Sequence, residues 1–139
     1  MMSTVKAAIR TALNGDATLV SLIGASRVWL GWKTERRVCP CVTIISGSEG
    51  STARPGYNSS GHRDMSPSVQ IDVWITRGED PPCTDEDCEL IAQAIDTLLF
   101  KTGVANTHGW ARVSTSGPVP DDNMLHMGLR YVFAYSVTD

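Results

Sequence analysis

The stretch LHMGLRYVFAYSV, residues 125–137, constrains this chain more than any other. Leu125, Met127, Leu129, Tyr131, Phe133, Tyr135 and Val137 take every second position without a break. A strand turns successive side chains to opposite faces, so this period describes one apolar sheet face. At roughly 3.3 Å per residue such a strand spans about 40 Å, long for a small domain. Left exposed, it would pair with whatever strand it met. The chain must therefore supply neighbouring strands and a cover for the apolar side.

The remaining patterns supply both. In SVQIDVWIT, residues 68–76, Val69, Ile71, Val73 and Ile75 point one way, and Gln70, Asp72, Trp74 and Thr76 point the other. CVTIIS, residues 41–46, is apolar on both faces and reads as a strand covered on both sides. RVWLGW, residues 27–32, and WARVSTS, residues 110–116, read as further strands, the second followed by a turn at GPVPDDN. Val5, Ala8, Ile9, Ala12 and Leu13 recur at helical spacing, with Ser3 or Thr4 as the cap and Gly15 as the stop. A short helix follows from an Asp16 cap to Gly24, burying Leu19, Val20, Leu22 and Ile23. A longer one runs from about Asp85 to Phe100, with Ile91, Ala94, Ile95, Leu98 and Leu99 inside. Residues 46–68 break the pattern: Gly, Ser, Pro and Asn dominate, and the segment reads as a long loop or mobile arm over about 47–67.

These elements predict an α/β (α+β) fold: a mostly antiparallel sheet of four to five strands with its helices on one face. Gln70, Asp72, Trp74, His126 and Arg130 would line the other face and meet water or another subunit. With 139 residues, the whole of 1–139 is expected to form one domain.

Bulk composition excludes several functions. The net charge of −3 provides no global field for nucleic acid or an anionic membrane. The apolar runs fall short of the ~18 residues of a membrane span. MMSTVKAAIRTAL has no signal-peptide pattern, so the chain reads as cytosolic, with its four cysteines as thiols.

The densest reactive stretch is CTDEDCELIAQ, residues 83–93. Thr84 and Asp87 come close to a capping box, and Asp85, Glu86, Asp87 and Glu89 sit where a helix N-terminus favours acids. Successive helical residues diverge by about 100°, so these carboxylates do not converge on one ion. The competing reading is a small metal-dependent enzyme that uses this cluster with His62 or His108. The cysteines, Cys39-Pro40-Cys41 and Cys83-x4-Cys88, lack zinc-ribbon spacing, although a Cys83–Cys88 bridge remains open. No nucleophile elbow or phosphate-binding loop appears. No cofactor, metal ligand or catalytic residue is assigned. Arg54, Tyr57, His62 and Arg63 form a mildly basic patch in the loop, read either as a solvated loop or as a contact arm for a protein partner. A nucleic-acid module using Arg54 and Arg63 would bind with steep salt dependence. Trp74, on the polar face of its strand, suits either a subunit contact or local packing.

The order and spacing of these patterns resemble the tail-completion, or tail-terminator, proteins of tailed bacteriophages. The resemblance rests on VKAAIRTALNGDATLVSLIGASRVW, with Asp16, Leu19, Leu22, Ile23 and Gly24 in its D-x-x-[LV]-x-x-L-[IV]-G segment. It continues through PCVTI, through SVQIDVWITRGEDPPCTDEDCELIAQAIDTLL, and through the closing strand MGLRYVFAYSV. The loop at 47–66 is longer than the family pattern. The resemblance implies a non-enzymatic virion protein that forms a homo-oligomeric ring, a hexamer, on the head-proximal end of the tail tube. That ring would stop tube polymerisation and join the tail to the head-side connector, after assembly in the host cytoplasm. A related neck or head–tail connector component is the alternative. The partners implied are further copies of the chain, the tail tube protein and the connector or stopper, with no membrane and no sequence-specific nucleic acid. Contacts are expected from Arg54, Tyr57, His62 and Arg63 in the loop and from Trp74. Asp72 and Arg130 would be charged partners across a subunit boundary.

Overall fold

A computed structural model describes residues 2–31, 40–46, 63–65, 68–76, 85–101, 104, 107–121 and 124–137. In chain order these form α1 (Met2–Asn14), α2 (Ala17–Ile23), β1 (Val28–Leu30), β2 (Cys41–Ser46), β3 (Arg63–Met65), β4 (Ser68–Thr76), α3 (Asp85–Lys101), β5 (His108–Asp121) and β6 (Met124–Val137).

The long alternating strand is the axis of the sheet. β6 pairs antiparallel with β4 on one side, from Ser68↔Val132 to Thr76↔Met124, and with β5 on the other, from His108↔Ala134 to Asp121↔Met124. β2 adds antiparallel to β4, and β1 lies parallel to β2. β3 pairs Met65 with Tyr135 and Arg63 with Val137, so it prolongs β4 along β6 in the same register. The class is α+β, as expected, but the sheet is mixed and has six strands among the described residues. The extra strand comes from the segment read as loop: Arg63–Met65 pairs with the end of β6, while 47–62 and 66–67 lie outside the described residues.

The helices cover one face. α1 lies over β1 and β2, α3 over β4, β5 and β6, and α2 touches both α1 and α3. Val5, Ile9 and Leu13 of α1 are fully buried, against Val42 and Ile44 of β2 and Ile71 and Val73 of β4 in one cluster. Each such side chain contributes roughly 1.5–3 kcal/mol when removed from water. The Asp16 cap is confirmed by the bond from Leu19 N–H to Asp16 Oδ2 at 2.9 Å, and Gly24 N–H closes α2 on the Val20 carbonyl at 2.8 Å. Ser3 and Thr4 are not caps, because α1 already begins at Met2. Within α2, Leu19 and Ile23 are buried, whereas Val20 and Leu22 are only half-buried on so short an element.

β5 departs most from expectation. It runs through Gly117, Pro118, Val119 and Pro120, which read as a turn. Proline has no N–H to give a ladder, but an edge strand needs only one bonded side. β5 borders only β6 among the described residues and accommodates the misfit in register shifts, including one between Ser116 and Val119.

Asp96 ties α3 to this edge. The Tyr131 hydroxyl donates to Asp96 Oδ1, and Arg112 Nη2 lies 2.9 Å from Asp96 Oδ2. Burial first, then the bond to Asp96 and its negative charge, push the Tyr131 pKa up, against a smaller opposing pull from Arg112. The folded chain therefore holds this proton more tightly than the unfolded chain, whose tyrosine titrates near ~10. Stability from Tyr131 is complete below that pH and declines as pH rises above it. Tyr131→Phe is expected to cost about 1 kcal/mol at pH 7 and to flatten the alkaline decline. Urea titrations between pH 7 and 11 check both effects.

Candidate interaction surfaces

On the face away from α1, α2 and α3, strand alternation and register stack polar residues in rows. Thr43 of β2 stands opposite Asp72 of β4, which stands opposite Gly128 of β6. In the next row Cys41 faces Trp74, and Trp74 faces His126. The side chains interlock. The Trp74 indole N–H donates to Thr43 Oγ1 at 3.0 Å, and its ring stacks on His126 with centroids 4.0 Å apart at 11°. His126 Nε2 lies 2.7 Å from Asp72 Oδ1, and Gln70 Nε2 donates to that same oxygen at 2.9 Å. Asp72 Oδ2, shielded from solvent, has no hydrogen-bond partner among the described residues. Gly128 leaves room for the cluster: a Cβ there would lie 2.7 Å from Ser116 Oγ and 3.3 Å from Asp72 Oδ1.

This face is less open than the sequence implied. Asp72 is 0% exposed and Trp74 4%, so both serve packing within the chain. Gln70 and His126, bonded or stacked on that pair, are half-buried, and Arg130 is exposed. Arg63 lies in β3, opposite Val137. Arg54, Tyr57 and His62 lie outside the described residues.

The acidic stretch is dispersed by its helix. Glu86 and Glu89 are exposed, Asp87 is half-buried and Cys88 is fully buried, while residues 83 and 84 lie outside the described set. Cys41 and Cys88 are buried; Cys83, the other half of the bridge left open above, lies outside the described residues. Among the described residues no group of three or more His, Cys, Asp or Glu gathers as a metal site would require. No helix of the described residues is long and apolar enough to cross a membrane.

Among the described residues, concave places open in the helix layer. One, of about 540 Å³ between α2 and α3, is floored by Leu22, Leu90, Ala94 and Leu98. Another, of about 450 Å³, opens between α1 and β1 and is lined by Ala7, Arg10, Thr11, Asn14, Gly15 and Leu30. Sequence reading missed the second place, because Arg10 reaches it only through a tertiary bond from its Nε to the Val28 carbonyl at 3.1 Å. It missed the Asp72–His126 and Asp96–Tyr131–Arg112 contacts for the same reason. The alternation of 68–76 and 125–137 did put Asp72 and His126 on one face, but the register that makes them neighbours is invisible before the strands pair.

No family model matches the chain. No curated protein matches it by sequence. Among solved structures, it is similar to a chain from the virion of the native gene transfer agent (GTA) particle, with a TM-score of 0.70 and 15% sequence identity, covering 98% of this chain and 97% of that one. At that identity the likeness is one of fold.

Proposed function

We propose that this chain is a structural protein of a phage-like virion, acting by contact and not by turnover. The observation that carries the reading is the shared fold, which runs over nearly the full length of both chains with a component of a GTA virion. The more specific role is that of a tail terminator. Residues 1–139 would act as one unit whose copies close into a ring, a hexamer, at the head-proximal end of the tail tube. The ring would end tube growth and seat the head-side connector, in particles assembled in the host cytoplasm. The order of sequence patterns from Val5 to Val137 supports this role. So does a surface whose polar residues interlock in pairs and rows instead of converging in a cleft.

Within that role, Arg54, Tyr57, His62 and Arg63 would reach the neighbouring protein from the arm. Arg130 would contact it from the sheet, with Asp72 and Trp74 holding His126 beside it. A closed ring uses heterologous contacts and leaves no growing end, which suits a chain with a long edge strand.

Native mass spectrometry and negative-stain imaging of the full chain test the proposal, alone and mixed with tail tube protein. Rings, or tubes capped at one end, are the expected result. Rings that seat on the connector and ignore tube ends would shift the role to the head side of the neck. A chain that stays monomeric with tubes and connectors and carries stoichiometric metal would overturn the structural reading.

A further inference from the structure

The helix layer is charged asymmetrically from one end of the sheet to the other. α1, over β1 and β2, contains Lys6 and Arg10 and no acid. α3, over β4, β5 and β6, has Asp85, Glu86, Asp87 and Glu89 before Leu90 and no cation until Lys101. Lys6, Arg10, Glu86 and Glu89 make no ion pair among the described residues. The two helices cover opposite ends of the strand order β1-β2-β4-β6, so copies set side by side in one sense would bring α3 of one against α1 of the next.

The α1 end also offers a fixed cation. The Arg10 pocket is concave, and the bond from Nε to the Val28 carbonyl holds the guanidinium beside it, with both Nη groups unbonded among the described residues. A guanidinium held this way is organised to take a carboxylate through two parallel bonds. On α3, Glu86, Glu89 and Gln93 are exposed, and Leu90 is 49% exposed beside the groove that α3 shares with α2. In a contact between two copies, Leu90 would meet the Ala7 and Leu30 lining, and Glu86 and Glu89, three residues apart on one helix, would offer carboxylates to the Arg10 guanidinium.

We propose that the Arg10 pocket between α1 and β1 binds the Glu86–Glu89–Leu90 stripe of α3 from a second copy of this chain. The contact is heterologous, front to back, so it propagates around a ring and uses both surfaces once per copy. The inference rests on the ring reading above and names the side chains that join its copies.

A charge swap tests it. Arg10→Glu sets carboxylate against carboxylate at every contact, and Glu86→Arg with Glu89→Arg sets cation against cation. Each variant alone is expected to self-associate at least about a hundredfold more weakly than the wild type. Arg10→Glu loses the bond to the Val28 carbonyl and the α3 swap loses acids near a helix N-terminus, so each variant should unfold at a modestly lower temperature but remain folded at 25 °C by circular dichroism. Mixed in equal amounts, the two variants restore complementary charges at every contact, and rings of strictly alternating composition should return in native mass spectra. Wild-type rings that survive both substitutions would overturn this contact while leaving the ring intact. Variants that lose their rings and do not regain them on mixing would overturn it as well. A wild type that is monomeric alone and on tube ends would remove the ring and the contact together.

Discussion

Trp110→Ala is expected to destabilise the chain by about 3–5 kcal/mol, the range for deleting a large buried aromatic side chain. Trp110 is 9% exposed and stands at the start of β5, where the chain leaves α3 for the sheet. Its ring stacks on Phe133 with centroids 4.3 Å apart and meets the edge of Tyr131 at 6.4 Å. Its indole N–H donates to Thr107 Oγ1 at 2.8 Å, and that hydroxyl in turn donates to the Val104 carbonyl. One side chain thus joins the exit from α3 to the central strand. Alanine loses the ring contacts and the hydrogen bond together and leaves a cavity between β5 and β6. Trp110→Phe keeps most of the packing and loses the N–H, and Thr107 still has its own acceptor, so about 1 kcal/mol is expected. The urea midpoint of each variant, at an unchanged m-value, measures the difference. Equal losses for Ala and Phe would mean that the indole N–H, and not the ring, holds this corner.

Much of this fold was legible before the strands were paired, because it rests on periods that the chain itself carries. Residues 125–137 and 68–76 alternate strictly, and both are strands, with Val69, Ile71, Val73 and Ile75 of one and Leu125, Met127, Leu129, Tyr131 and Phe133 of the other buried as expected. The helical spacing of Val5, Ile9 and Leu13, and the cap at Asp16, are local in the same sense. β5 was not legible beyond Ser116, because Gly117, Pro118 and Pro120 carry a turn signature. Only the presence of β6 alongside, with room for register shifts, keeps them in a strand. β3 was hidden for a related reason. Arg63–Met65 has no apolar alternation of its own and is ordered by continuing β4 against β6. The surfaces were least legible. Trp74 and Asp72 were rightly placed on the polar face, but polarity of pattern is not exposure: a stacked histidine, a paired threonine and a glutamine amide close over them. Arg10 gave no signal at all, since its place beside Leu30 depends on how α1 crosses β1.

Gly117→Ala should also be severe, and its effect should reach the polar cluster on the far strand. Gly117 has φ +87°, which disfavours a side chain by about 1–2 kcal/mol. A Cβ there would lie 2.6 Å from the His126 carbonyl oxygen and 2.7 Å from the Val119 nitrogen. Both are backbone atoms of one ladder pair, Val119↔His126, so neither gives way by turning a side chain. Overpacking of this kind adds about 1–3 kcal/mol, for a total of about 2–5 kcal/mol. Gly109 is the internal control: its φ is +68°, and nothing lies within 4 Å of the Cβ position. Gly109→Ala should therefore show the backbone cost alone, and the excess in Gly117→Ala measures the close approach of β5 to β6. The close approach falls on the backbone of His126, whose ring stacks on Trp74 and lies 2.7 Å from Asp72. If the bulge at Gly117 positions the pair, Gly117→Ala will shift the His126 imidazole resonances in a proton–nitrogen spectrum, and Gly109→Ala will leave them in place. An unchanged His126 in a strongly destabilised Gly117→Ala would show instead that the strain is absorbed within β5. The histidine on the face away from α1, α2 and α3 would then be held by Trp74 and Asp72 alone.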